Sequence, residues 1–236
     1  MGTAPRPRVR AVFLDLDDTL INMKRASHIA FNDALTRHGL RPVSYREMLA
    51  NWDTSWRVAV TRQAPDHPDV DQLLTEIGTE YFETFFAIHA EHSTLMPGAA
   101  ATLQALRAMK LVTAIVSRRR QRVIQEELDK FHLHPYIDTV VGREDVAQMK
   151  PAPNALTLAA ERLLVPIDQC LMVGDSPNDI KAGKAAGATT AAVLTGPYAA
   201  ATIVAEQPDV VLNTIADLVT VLNTAFDCEP STDQMA

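Results

Sequence analysis

The feature that constrains this chain most is a regular alternation of short apolar runs with helical segments. Leu111–Val116, Thr139–Val141, Cys170–Val173 and Thr189–Leu194 read as buried strands. Between and before them, Ala99–Met109, Arg120–Phe131, Asn154–Leu164 and Asn178–Ala186 carry helical spacing. Strands joined by helices of this length cannot pair as hairpins. They imply an α/β fold in which a parallel sheet is covered by helices on both faces. A weaker helix at Ala199–Glu206, a short strand at Val210–Leu212 and a last helix at Ile215–Ala225 continue the pattern.

One further strand precedes the alternation. Within Val9–Leu20, the residues Val12, Phe13, Leu14 and Leu16 lack the apolar/polar alternation of a half-exposed strand and fit one buried on both faces. The run ends in Asp15, Asp17 and Asp18, although aspartate is depleted in such strands. Asp15 and Asp17 lie two apart and point the same way while the chain stays extended. These residues alone leave two readings open: a solvated acidic corner, or a pair of carboxylates converging on a hard cation such as Mg²⁺.

Strand signals are absent from Lys24 to Ser93, where helices are expected at Arg25–His38, Ser44–Trp52, Ser55–Arg62 and Val70–Ala90, with a Pro-broken link at Gln63–Asp69. The expected organisation is therefore a core of residues 1–22 and 94–226, an inserted all-helical domain at 23–93, and a flexible tail at 227–236.

Composition narrows the partners. The 236 residues carry a net charge of −7, which argues against nucleic acid, whose affinity comes from Lys and Arg neutralising phosphates. No apolar run approaches the ~20 residues of a membrane span, and Met1–Arg10 lacks a signal-peptide core. Two cysteines, Cys170 and Cys228, provide no disulfide framework and fit a reducing, cytoplasmic setting. Oligomeric state is not legible.

Ligands of open α/β sheets bind beyond the carboxyl ends of the strands. The second strand ends in Ser117, followed by Arg118, Arg119 and Arg120. Ser117 is read as a helix cap, a role compatible with binding an anion. Arg119 and Arg120 are expected to be solvated and paired with Glu126 or Glu127, and Arg118 is left between surface and ligand. The third strand leads to Lys150, held between Met149 and Pro151 in a proline-stiffened loop. The fourth ends in Asp175-Ser176-Pro177-Asn178-Asp179, where Ser176 caps a helix, Pro177 opens it and Asp179 closes a capping box. Capping explains Asp179 but not Asp175.

Taken together, the DxDxT of Asp15–Thr19, Ser117, the KPxP of Lys150–Pro153 and the GDSxxDI of Gly174–Ile180 resemble, in order and spacing, the four motifs of the haloacid dehalogenase-like superfamily. The helical insert after the first strand is similar to its phosphoglycolate-phosphatase-like and β-phosphoglucomutase-like branch. The resemblance implies a Rossmann-like core with a helical cap and a phosphatase acting on a small phosphorylated metabolite, phosphoglycolate first. A phosphomutase, or a catalytically silent binding protein on the same fold, is the alternative. It further implies Asp15 as nucleophile, Asp17 as general acid and base, and Ser117 and Lys150 on the transferring phosphoryl group. Mg²⁺ would be held by Asp15, the Asp17 main-chain carbonyl, Asp175 and Asp179. An acid at position 17 speaks against dehalogenation, in which halide leaves without a proton. Asp18 has no role in this scheme and is expected to be solvated.

The insert departs from the resemblance. Relatives often have Asp-Ser where this chain has Asn22-Met23. Trp52 and Arg57 are candidate substrate contacts; Trp52 and Trp56 share a helix face if the helix continues, with bundle core as the first reading for them and an aromatic wall facing the substrate as the second. His89 and His92 are one helical turn apart but lack a third metal ligand in view.

Overall fold

A computed structural model describes residues 6–51 and 56–229. The chain divides into two compact units. One holds the described residues up to Ile21, Leu95–Gly196 and those from Ala200 onward, and the other holds Asn22–Thr94 with Pro197–Ala199.

The first unit opens with β1 (Arg8–Val9) and β2 (Ala11–Leu14), and the chain leaves it through β3 (Ile21–Asn22). The second unit carries α1 (Lys24–Arg37), α2 (Tyr45–Ala50), α3 (Trp56–Gln63) and α4 (Val70–His92). Return is through β4 (Thr94–Leu95), which shares a two-stranded sheet with β3. There follow α5 (Ala99–Ala108), β5 (Val112–Val116), α6 (Gln121–Lys130), β6 (Thr139–Val141), α7 (Asn154–Leu163), β7 (Cys170–Gly174), α8 (Pro177–Ala186) and β8 (Thr189–Val193). The last elements are α9 (Ala200–Val204), β9 (Val210–Leu212), α10 (Leu218–Ala225) and β10 (Asp227–Cys228).

Six strands form one parallel sheet in the order β6-β5-β2-β7-β8-β9. Every residue of β2, β5 and β7 is buried, which is why these strands read as continuous apolar runs. Phe13, Ala114, Val116 and Met172 pack with Ala155, Leu156, Ala159 and Ala182 of α7 and α8 in one core cluster. Asp227 and Cys228, the first two residues of the expected tail, pair with Arg8 and Val9. A two-residue strand has no period for a sequence reading to detect.

The helical unit has its own core of Phe31, Leu35, Val60, Leu73, Leu74 and Ile77. Trp56 lies partly buried against it, with its ring 6.4 Å from Phe31 and 6.2 Å from Tyr81. Ser44 begins α2 by accepting the Glu47 N–H at 3.1 Å. Asn32 joins α1 to the next segment by accepting from Val43 N–H at 2.9 Å and donating to its carbonyl at 2.8 Å. Among the described residues no helix is long and apolar enough to cross a membrane.

Candidate active site

Three adjacent strands deliver the site. Leu14 is level with Ile115 of β5 on one side and Val173 of β7 on the other. Asp15, Ser117 and Asp175 therefore leave the sheet together at its carboxyl edge, where ligands of such sheets bind. The Asp15 N–H still donates to the Val173 carbonyl at 2.9 Å, while the chain beyond Leu16 turns sharply. Asp18 takes a left-handed φ of 54° and its N–H donates to the Ile21 carbonyl at 2.7 Å. Asp18 is buried, contrary to the solvated position expected for it, and its carbonyl accepts the Thr195 hydroxyl at 2.5 Å.

Lys150 reaches this edge from the loop between β6 and α7. Its ammonium donates to Asp15 Oδ1 at 2.5 Å and to the Val116 carbonyl at 2.7 Å, and stands 2.6 Å from Asp179 Oδ1. Asp179 divides its two oxygens between two jobs. Oδ2 accepts the Ser176 N–H at 3.0 Å and the Ser176 hydroxyl at 2.7 Å, as a capping residue would, and Oδ1 faces Lys150. Asp175 Oδ1 accepts the Thr19 hydroxyl at 3.1 Å. Thr19, which closes the first motif, thus joins the site without a role in the sequence reading.

Carboxylate oxygens of Asp15, Asp175 and Asp179 lie within 4.8 Å of one another, and all three residues are buried. The cluster holds three carboxylates, and the Lys150 ammonium pairs with two of them, Asp15 and Asp179, an imbalance that low-dielectric surroundings penalise. Burial, with Asp179 and Asp17 adding to it against the opposing pull of Lys150, raises the Asp15 carboxyl from 3.8 to about 7. Asp175 is likewise pushed well above its ordinary value by burial, then by Asp15, Asp179 and Asp18. Burial works against the charge on Lys150, but Asp15 and Asp179 outweigh it and hold the ammonium above its ordinary value. The backbone has made room for the cluster: a Cβ added at Gly196 would overlap the Asp175 carboxylate, and one at Gly174 the Asp179 side chain. Clustered oxygen donors with surplus negative charge fit a hard divalent cation.

Ser117 is buried, and its Oγ accepts the Arg119 N–H at 3.3 Å. Arg119 departs from expectation: it is buried, and its Nε donates to Asp17 Oδ2 at 2.7 Å. Arg120 is exposed near Glu144, and Glu126 pairs instead with Arg122 at 3.1 Å. Arg118 is exposed. Arg57, in the helical unit, is exposed with its guanidinium 4.9 Å over the Trp56 ring. Trp52 lies outside the described residues. His89 is buried beside Phe85, and His92 is 4.0 Å from Glu91.

Fold and site together define a hydrolase built on a parallel α/β sheet, with carboxylates and one lysine gathered at the strand ends. The chain belongs to the haloacid dehalogenase-like hydrolase family, whose model matches residues 12–193. It is similar to the phosphoglycolate phosphatase of Escherichia coli (strain K12), with 32% identity over 234 residues, 91% of this chain and 92% of that protein. The phosphoglycolate phosphatase of Pseudomonas savastanoi pv. phaseolicola (strain 1448A / Race 6) is 30% identical over 214 residues, 89% of this chain and 78% of that protein. A solved structure of a HAD family hydrolase from Deinococcus radiodurans R1, with bound phosphate and sodium, matches with a TM-score of 0.73 and 26% identity. That match covers 93% of this chain and 97% of the other.

Proposed function

We propose that this hydrolase is a Mg²⁺-dependent phosphatase that acts on a small phosphorylated metabolite through an aspartyl-phosphate on Asp15, with phosphoglycolate as the first substrate. The observation that carries the reading is the Lys150 ammonium, buried and within 2.7 Å of Asp15, Asp179 and the Val116 carbonyl beside the three-carboxylate cluster.

Asp15 attacks phosphorus, and its new P–O bond forms as the ester P–O bond breaks. Asp17 gives a proton to the departing oxygen, which takes the electron pair of the broken bond. Asp17, now a carboxylate, takes a proton from water as the water oxygen attacks phosphorus. The P–O bond to Asp15 breaks, inorganic phosphate leaves and Asp15 is regenerated. Lys150 and the Ser117 hydroxyl hold the non-bridging oxygens and offset their charge. Asp15, Asp175, Asp179 and the Asp17 main-chain carbonyl would hold Mg²⁺, which supplies positive charge against the repulsion between carboxylate and phosphate. The helical insert at 23–93, with Trp52 and Arg57, is assigned substrate choice, and Arg118 a second anionic group of the substrate.

The test is release of inorganic phosphate from a panel of phosphate esters, with Mg²⁺ or with EDTA. Mg²⁺-dependent release without added bisphosphate, lost in Asp15→Asn with folding retained, is expected. Equal activity of Asp15→Asn and the unaltered protein would refute the mechanism. Failure of phosphoglycolate alone, with another ester turned over, would refute only the substrate.

A further inference from the structure

The Asp17–Arg119 ion pair joins residues 102 positions apart and has no part in the scheme above. Its two ends differ: the Arg119 side chain is 5% exposed and the Asp17 side chain 40%. An acid must lie within hydrogen-bond reach of the oxygen it protonates, and a displacement of about 1 Å can cost on the order of 100-fold in rate. A half-exposed carboxylate at the start of a sharp turn does not hold that position unaided.

Arg119 is itself fixed from both sides along the backbone. Its N–H donates to Ser117 Oγ at 3.3 Å, and its carbonyl accepts the Arg143 N–H at 2.8 Å. Gly142 permits that approach, since a Cβ there would come within 3.0 Å of the Arg119 carbonyl oxygen. The guanidinium is planar and permanently charged, so it fixes direction as well as distance. With Oδ2 committed to Arg119, Asp17 keeps Oδ1, a buried atom without a hydrogen-bond partner among the described residues.

We propose that Arg119 is a positioning residue for Asp17: it immobilises Oδ2 and thereby presents Oδ1 to the leaving oxygen of the substrate. The proposal rests on the acid role given to Asp17 above. It separates the second motif into two functions, with Ser117 acting on the phosphoryl group and Arg119 acting through the acid.

The test compares kcat/KM, in Mg²⁺, for the best alkyl phosphate of the panel and for p-nitrophenyl phosphate, whose leaving group needs no proton. Arg119→Ala should lose about 100-fold on the alkyl ester, the scale of a general acid, and less than about 3-fold on the aryl ester. Asp17→Asn should show the same split, and the double variant should be no worse than Asp17→Asn, because the two residues act as one unit. Arg119→Lys should recover part of the loss. Equal losses on both esters would place Arg119 on the phosphoryl group and overturn the proposal. Asp17→Asn discriminating while Arg119→Ala does not would also overturn it, with the acid role intact. If Asp17→Asn itself does not discriminate, the acid role fails and the proposal falls with it. Should Arg119→Ala not fold, Arg119→Gln, judged by thermal unfolding, makes the same comparison.

Discussion

Removing divalent metal should leave a protein that is less stable in weak alkali than in weak acid. The Asp15 carboxyl is raised from 3.8 to about 7 in the folded chain, chiefly by burial. An acid whose folded value lies above its unfolded one binds more protons when folded between those two values. Stability therefore falls as pH rises through that window and levels off above about 7. Each tenfold change in proton affinity corresponds to about 1.4 kcal/mol, so the interval from 3.8 to about 7 amounts to about 4 kcal/mol. Asp175 is raised for the same reason and acts in the same direction. Urea unfolding in EDTA at pH 5 and pH 8 crosses the part of that window from 5 to about 7 and should show about 3 kcal/mol of the loss, and Asp15→Asn should remove most of it. Mg²⁺ at 100 times its dissociation constant should restore about 2.7 kcal/mol at pH 8, because it binds the folded carboxylates. A pH slope unchanged in Asp15→Asn, or stability that rises from pH 5 to pH 8 in EDTA, would refute the account of the cluster.

Four further outcomes follow from the contacts. Lys150→Met removes the ammonium that faces both Asp15 and Asp179. It should cost about 3–5 kcal/mol of stability in EDTA at pH 8 and about 10²–10³ in kcat, and activity within twofold of the unaltered protein would count against the site. Gly196→Ala forces a methyl group into the Asp175 carboxylate; a loss of about 1–3 kcal/mol is expected, with a weaker response in a Mg²⁺ titration of activity. Trp56→Ala should cost about 3 kcal/mol by emptying part of the helical core. Arg57→Ala, exposed beside it, should stay within about 0.5 kcal/mol in urea unfolding.

The sheet was legible because its central strands are buried along their whole length and the helices between them carry helical spacing, in places with a clear start and stop. The fourth strand shows this well: Gly174 ends it, Ser176 and Pro177 begin α8, and Gly187 closes that helix with φ 86°. Such signals are local, and the observed bounds of β5, β7 and α8 fall within a residue of those read from the sequence. The pairing of Arg8–Val9 with Asp227–Cys228 was not legible, because it joins two-residue segments from opposite ends of the chain.

The same limit explains what was missed at the site. Asp15, Ser117 and Asp175 directly follow strand ends, where strand order and register determine their direction. Asp18 lies three residues beyond Asp15 and Arg119 two beyond Ser117, in turns that have left the period of the strand. Arg118, Arg119 and Arg120 are chemically identical, yet the first and third are exposed and the second is buried against Asp17. Local pattern cannot choose among them. The choice is made by the turn itself, in which Ser117 Oγ accepts the Arg119 N–H and Arg143 donates to its carbonyl. The selected guanidinium thus depends on a partner 102 residues earlier and on a loop beyond the next strand. A residue oriented by two distant segments is where sequence reasoning loses its hold, and Arg119 is where this chain departs most from its expected site.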